Sequence, residues 1–242
     1  MKQHIFDNRE IMSDNLAQWI CDLIAETLKN QEFFSLVLSG GETPKLLYQK
    51  LASEKYSSQI NWKRINIFWG DERVVPYSDE RNNAKMAFDI LLDYVEIPAT
   101  QIHKMRTDIE TNFAVEEYRK LLHTFFDSTA YSFDLVLLGM GDDGHTLSLF
   151  PGSHIIDENI HWVNSVYNEK QEMYRITLMP VIVNKAAHIA FMVDGSKKAN
   201  VLQQVLEGKY MPEKLPSQLI KPAQGELHWF LDEDAAKELK NR

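Results

Sequence analysis

Residues 133–152 read FDLVLLGMGDDGHTLSLFPG. An apolar, β-branched run ends in glycines at 139, 141 and 144, the G-x-G-x-x-G spacing of a dinucleotide loop. That fingerprint also requires a helix long enough to cross back to the next strand. Here Pro151 and Gly152 stop any helix within two turns, and Asp142 and Asp143 would repel a pyrophosphate. The dinucleotide reading is rejected. What remains is a buried strand whose carboxyl end presents Asp143 and His145 on a glycine turn. Histidine exchanges a proton near neutral pH, and a neighbouring carboxylate can orient its ring. A histidine after a glycine turn also serves as an ordinary hydrogen-bonding residue, and the D-G-H setting at a strand end favours function.

Working outward, similar runs occur at 33–39, 64–69, 161–167, 175–178, 188–194 and 226–232. Several lack period-2 alternation, as strands buried on both faces do. Helical patterns lie between them at 13–30, 44–54, 79–94, 110–126, 196–207 and 233–241. This alternation predicts an α/β fold with a doubly wound, mostly parallel sheet flanked by helices, binding ligands beyond the strands' carboxyl ends. The stretch 208–222 has three prolines but also apolar anchors, so residues 1–242 read as one domain.

Three more strand-end loops carry polar chemistry. In SGGETP (39–44), Gly40 and Gly41 permit a sharp turn, Thr43 suits an N-cap and Pro44 the first helical position. The helix start so formed favours a phosphate, although an ordinary strand-to-helix turn has the same composition. In WGDERVVPYSDERNN (69–83), Asp71, Glu72 and Arg73 follow a strand and face the crevice, where Arg73 offers a fork for an anion and Asp71 an acid or base. The second D-E-R reads as a solvated helix turn capped by Ser78. In VDGSKK (193–198), Lys197 and Lys198 sit in a helix's first turn, where cations oppose the dipole. An anionic ligand would relieve that penalty; two solvated lysines are the plainer alternative.

The bulk numbers narrow the partners. With 26 Lys and Arg against 35 Asp and Glu, the net charge of −9 argues against nucleic acid or an anionic membrane as the main partner. No apolar run approaches the roughly 20 residues that span a bilayer, and the first residues lack an apolar leader core. Cys21 is the single cysteine, which fits a reducing compartment. The expected location is the cytoplasm. A G-x-S-x-G elbow is missing, and His145, His154 and His161 lack zinc-ligand spacing. The remaining histidines, His4, His103, His123, His188 and His228, are scattered and read as structural or exposed.

Together SGGETP, WGDERVVP with SDERNN, GMGDDGHTLSLFPG, RITL (175–178), GSKKANVL (195–202) and LPSQLIKPAQGELHWFLDEDAA (215–236) resemble, in order, the glucosamine-6-phosphate isomerase/6-phosphogluconolactonase family, in its lactonase branch. The resemblance implies a Rossmann-like fold of the glucosamine-6-phosphate deaminase type. It also implies hydrolysis of 6-phospho-D-glucono-1,5-lactone in the oxidative pentose phosphate pathway, without metal or organic cofactor. By position His145 would be the general base beside Asp143, with Asp71 as a further catalytic candidate. Ser39, Gly40, Gly41 and Thr43 would bind phosphate through their turn, and Lys198, Arg73 and Arg175 would complete the substrate site. Two departures stand out: Asp142 replaces a frequent proline, and Glu172 and Met173 replace a proline-containing pair before Arg175. The alternatives are a deaminase and a noncatalytic sugar-phosphate sensor. The deaminase pattern places a glutamate where this chain has Phe150, and an apolar ring cannot relay a proton. Monomer and dimer are equally compatible with the sequence.

Overall fold

The computed structural model describes residues 1–241; Arg242, the last residue of the span assigned above, lies outside them. Among the described residues, ten strands and eight α-helices follow in the order β1 (Lys2–Phe6), α1 (Arg9–Thr27), β2 (Phe34–Leu38), α2 (Glu42–Ala52), α3 (Glu54–Ser57), β3 (Ile65–Trp69), β4 (Asp71–Arg73), α4 (Asn83–Ile90), β5 (Ile102–His103), α5 (Thr111–Phe126), β6 (Leu135–Gly139), β7 (Val163–Asn168), β8 (Met173–Leu178), α6 (Pro180–Val183), β9 (His188–Val193), α7 (Ala199–Glu207), β10 (Glu226–Asp232) and α8 (Glu233–Ala236). Seven strands form one sheet in the order β1-β10-β9-β6-β2-β3-β5, with every pairing parallel.

The runs without alternation have the two-sided burial that this topology demands. On β6, Leu135 and Leu137 pack with Leu16 and Ile20 of α1 and Leu47 of α2, whereas Val136 and Leu138 pack with Leu122 of α5 and Leu202 of α7. One strand thus feeds two cores because successive side chains leave opposite faces. None of the helices among the described residues is long and apolar enough to cross a membrane.

Several expectations need correction. The runs at 161–167 and 175–178 do not join the parallel sheet. As β7 and β8 they form an antiparallel hairpin, and β8 pairs antiparallel with β4 in a second sheet of order β4-β8-β7. Hence Asp71, Glu72 and Arg73, read as a loop, are a strand. The helix expected at 79–94 is confined to 83–90, and its cap is Asn82, whose side chain accepts from Lys85 N at 2.8 Å, rather than Ser78. The helix expected at 44–54 begins at Glu42 behind Gly41, so Thr43 lies inside its first turn and is no cap. No helix follows the D-G-H loop; Thr146 and Leu149 close it with an isolated antiparallel bridge. The C-terminal helix spans only 233–236, and Lys198 ends a short 3-10 turn ahead of α7. Strands β1 and β5 were not foreseen.

Candidate active site

The carboxyl ends of β2 and β3 are fixed by two buried tyrosines. Tyr48 of α2 accepts from Ser39 N at 2.9 Å and donates to Ser39 O at 2.7 Å. Tyr118 of α5 does the same at Trp69, accepting at 3.0 Å and donating at 3.2 Å. Held in this way, the chain beyond each strand lines one cleft of about 170 Å³.

Ser39, Gly40, Gly41 and Thr43 form one wall of that cleft. The absent Cβ at Gly40 is needed for fit, since a methyl there would lie 2.0 Å from Asn83 Oδ1. Thr43 donates its hydroxyl to Asp194, the residue just beyond β9, which also pairs with Arg9 Nε at 3.3 Å. Lys198 reaches the same cleft. The turn thus collects backbone N–H groups and a cation, the pattern that receives an anion.

The D-G-H loop supplies the second wall. His145 Nδ1 lies 2.5 Å from Asp143 Oδ1, and the same oxygen accepts from His145 N at 3.2 Å. The contact engages one ring nitrogen and leaves Nε2 free of it. The hydrogen bond from His145, with the ring's charge behind it, lowers the Asp143 carboxyl to about 2. Glycine at 141 is a packing requirement, because a Cβ would come within 2.1 Å of His145 Nδ1. From the excursion at 208–222, Ser217 donates to Gly144 O through N at 3.0 Å and Oγ at 2.9 Å, bracing the loop from behind.

The smaller sheet supplies the rest. Asp71 and Arg73 alternate with Glu72 along β4, and only the first and third line the cleft. Asp71 Oδ2 takes hydrogen bonds from Arg175 Nη2 at 2.7 Å and Ser148 Oγ at 2.6 Å. Burial pushes this carboxyl up, but the Arg175 and Arg73 guanidiniums and these hydrogen bonds outweigh it, so its value is lowered. Arg73 donates to Arg81 O at 2.7 Å, and burial beside Arg175 depresses its own value. Glu72 points the other way. Its carboxylate accepts from Arg73 N and Asn83 N at 2.7 Å and from Ala84 N at 2.8 Å, closing the start of α4, while burial raises it to about 7.

The residues assigned to the site line the cleft, save Asp143, which touches His145; Glu72, expected to face the crevice, turns instead into the start of α4, and Lys197 does not line the cleft. Arg175 is committed: it bonds Asp71 and, through Nη1, Gln171 at 2.8 Å. The hairpin turn before it carries Glu172 at φ +51°, the residue flagged there as a departure. Sequence reading missed Glu72, Asn83, Ser148 and Ser217 as supports. The pair Asn82–Asn83 after a D-E-R was the available signal for a helix start at that point.

The family model for glucosamine-6-phosphate isomerases and 6-phosphogluconolactonase matches residues 7–229. A 6-phosphogluconolactonase of Haemophilus influenzae is 36% identical over 83% of this chain and 85% of its own. One of Synechocystis is 34% identical over 96% of both chains. The solved structure of 6-phosphogluconolactonase from Trypanosoma brucei superposes with a TM-score of 0.86 at 25% identity, covering 98% of each chain. The strand-end loops, their cleft and the extent of these matches lead to one assignment: the chain belongs to the glucosamine-6-phosphate isomerase/6-phosphogluconolactonase family.

Proposed function

We propose that this chain hydrolyses 6-phospho-D-glucono-1,5-lactone to 6-phospho-D-gluconate, with His145 as general base. The observation that carries the reading is the 2.5 Å contact between Asp143 and His145 in a cleft also lined by Gly41, Thr43 and Lys198. Asp143 holds the Nδ1–H, so Nε2 takes a proton from water as it attacks C1, and the imidazolium then protonates the departing ring oxygen. Donors facing the cleft meet the oxyanion. The phosphate sits at the Ser39–Thr43 turn with Lys198 and Arg73 nearby, so binding energy remote from C1 orients the ester.

Asp71 serves in this reading as a positioning residue. Its carboxylate is paired with Arg175 and held ionised, which suits an anchor for the second wall better than a proton carrier. Phe150 supports the lactonase over the deaminase. Its ring centroid lies 5.0 Å from that of His145, where it shields the base and offers no second proton relay. A noncatalytic sensor would have no use for an oriented imidazole. The reading takes the chain as one domain working in the cytoplasm, a setting supported by a lone, buried, unpaired cysteine.

The test is turnover of freshly generated lactone at a pH where spontaneous opening is slow, run beside ammonia release from glucosamine 6-phosphate. Acid formation well above the spontaneous rate, with no ammonia, is the expected result. Ammonia release, or lactone decay at the spontaneous rate with folded protein, overturns it.

A further inference from the structure

At the amino-terminal ends of the parallel strands, opposite the cleft, the interior strands β9 and β10 open on His188 and Glu226, which are register partners. His228 lies two residues along β10 and therefore on the same face as Glu226. Glu226 Oε2 is 3.1 Å from His228 Nε2 and 3.7 Å from His188 Nδ1, and the three ligand atoms all lie within 4.8 Å of one another. Two bonds of 2.0–2.1 Å at a tetrahedral angle span about 3.4 Å, between the two shorter separations.

Two further observations single out the cluster. His188 Nδ1 is buried without a hydrogen-bond partner, an unmet lone pair or N–H beside a carboxylate. His4 of β1 places Nε2 3.1 Å from His228 Nδ1, so an outer hydrogen bond already fixes the ring whose Nε2 faces Glu226. Metal-bound imidazoles are held in this manner. Trp19 of α1 covers the group with its ring centroid 4.8 Å from that of His228. Glu226 stays half exposed, which leaves an entry path.

We propose that His188, Glu226 and His228 form a site for a divalent transition-metal ion of the zinc type, remote from the lactone cleft and tying β9 to β10. Two imidazoles and a carboxylate are a zinc donor set, with the fourth position left to water. In the metal-free chain His4 donates from Nε2 to His228 Nδ1 and His228 from Nε2 to Glu226; when the ion takes His228 Nε2, both rings exchange through solvent to their Nδ1–H tautomers and the His4–His228 hydrogen bond reverses, His228 Nδ1–H now donating to His4 Nε2. The rings stay neutral throughout. Lys2 occupies the carboxylate in the metal-free chain, its Nζ 2.9 Å from Glu226 Oε1, and being exposed it can swing away. Lysine and metal therefore compete.

The experiment strips the protein with chelator, titrates Zn²⁺ against a chromophoric competitor and follows the thermal midpoint. One Zn²⁺ per chain and a midpoint that rises with free Zn²⁺ are expected. His188→Ala and Glu226→Ala each weaken binding at least roughly tenfold and remove the rise, whereas Lys2→Ala tightens binding. His188→Ala leaves lactone hydrolysis at the wild-type rate. No saturable binding, or binding unchanged in His188→Ala and Glu226→Ala, overturns the proposal, the latter by placing the ion elsewhere. Should either alanine variant fail to fold, Lys2→Ala decides: affinity equal to or below that of wild type sinks the site.

Discussion

Arg175 reaches Asp71 at 2.7 Å across neighbouring strands of the smaller sheet, with both side chains less than a tenth exposed. Such a pair adds little net stability against an apolar substitute, but removing one member leaves a desolvated charge. Arg175→Met is therefore expected to destabilise the fold by about 3–5 kcal/mol. Asp71→Asn with Arg175→Met should recover much of that loss. Denaturant melts of the two variants measure the difference.

His145→Ala should reduce kcat by roughly 10²–10⁴-fold while leaving the fold intact, because the ring lies at the cleft and outside both cores. Circular dichroism and steady-state lactone hydrolysis check the two halves of this statement. A folded variant with wild-type kcat would remove the base assignment.

Asp143→Asn should lower kcat by about tenfold or more, since the ring loses the charged acceptor that holds its tautomer and stabilises the imidazolium, and faces an amide that can equally turn an N–H₂ toward it. A second effect falls on acid stability. The Asp143 carboxyl is about 2 in the fold against an ordinary 3.8. A depressed acid contributes stability above 3.8 and loses it as pH falls toward 2. Thermal midpoints measured from pH 5 to pH 2 should fall less steeply in the variant.

Glu72 carries the opposite sign. Its value near 7, against 4.5 ordinarily, means that between those limits the folded chain holds a proton that the unfolded chain has lost. Stability should accordingly decline as pH rises from 4.5 to 7. Glu72→Gln should remove that slope. It should also cost about 1–3 kcal/mol, since its amide would turn an N–H₂ toward Ala84 N.

Lys198→Ala is expected to raise KM roughly tenfold with a smaller change in kcat, the signature of an anion contact made equally in ground and transition states. Initial rates over a range of lactone concentration separate the two. Loss confined to kcat would move the phosphate away from the Ser39–Thr43 turn.

Much of this was legible where local chemistry and tertiary placement agree. The unbroken apolar character of 133–138 marks a strand buried on both faces, and the glycines after it announce a turn crowded by its own histidine. Local signals misled where a distant partner decides. Thr43 has the composition of a cap, yet its hydroxyl is drawn to Asp194, about 150 residues away. Asp71–Arg73 has the charge of a loop but becomes a strand because β8 offers an antiparallel edge. Three histidines and a glutamate from β1, β9 and β10 have no spacing to detect, since only the parallel register of those strands brings them together.

Gly70 accepts from Leu178 N at 2.8 Å and donates to Leu38 O at 3.0 Å, so it is a stitch between the two sheets. His145 rides on one of them and Asp71 on the other. The pocket is thus a seam, with the seven-stranded sheet on one side and the β4-β8-β7 sheet on the other. A sugar acid gripping both sides would act as a rivet, and backbone amides of the smaller sheet should then exchange with deuterium more slowly when product is bound, those of β6 hardly changing.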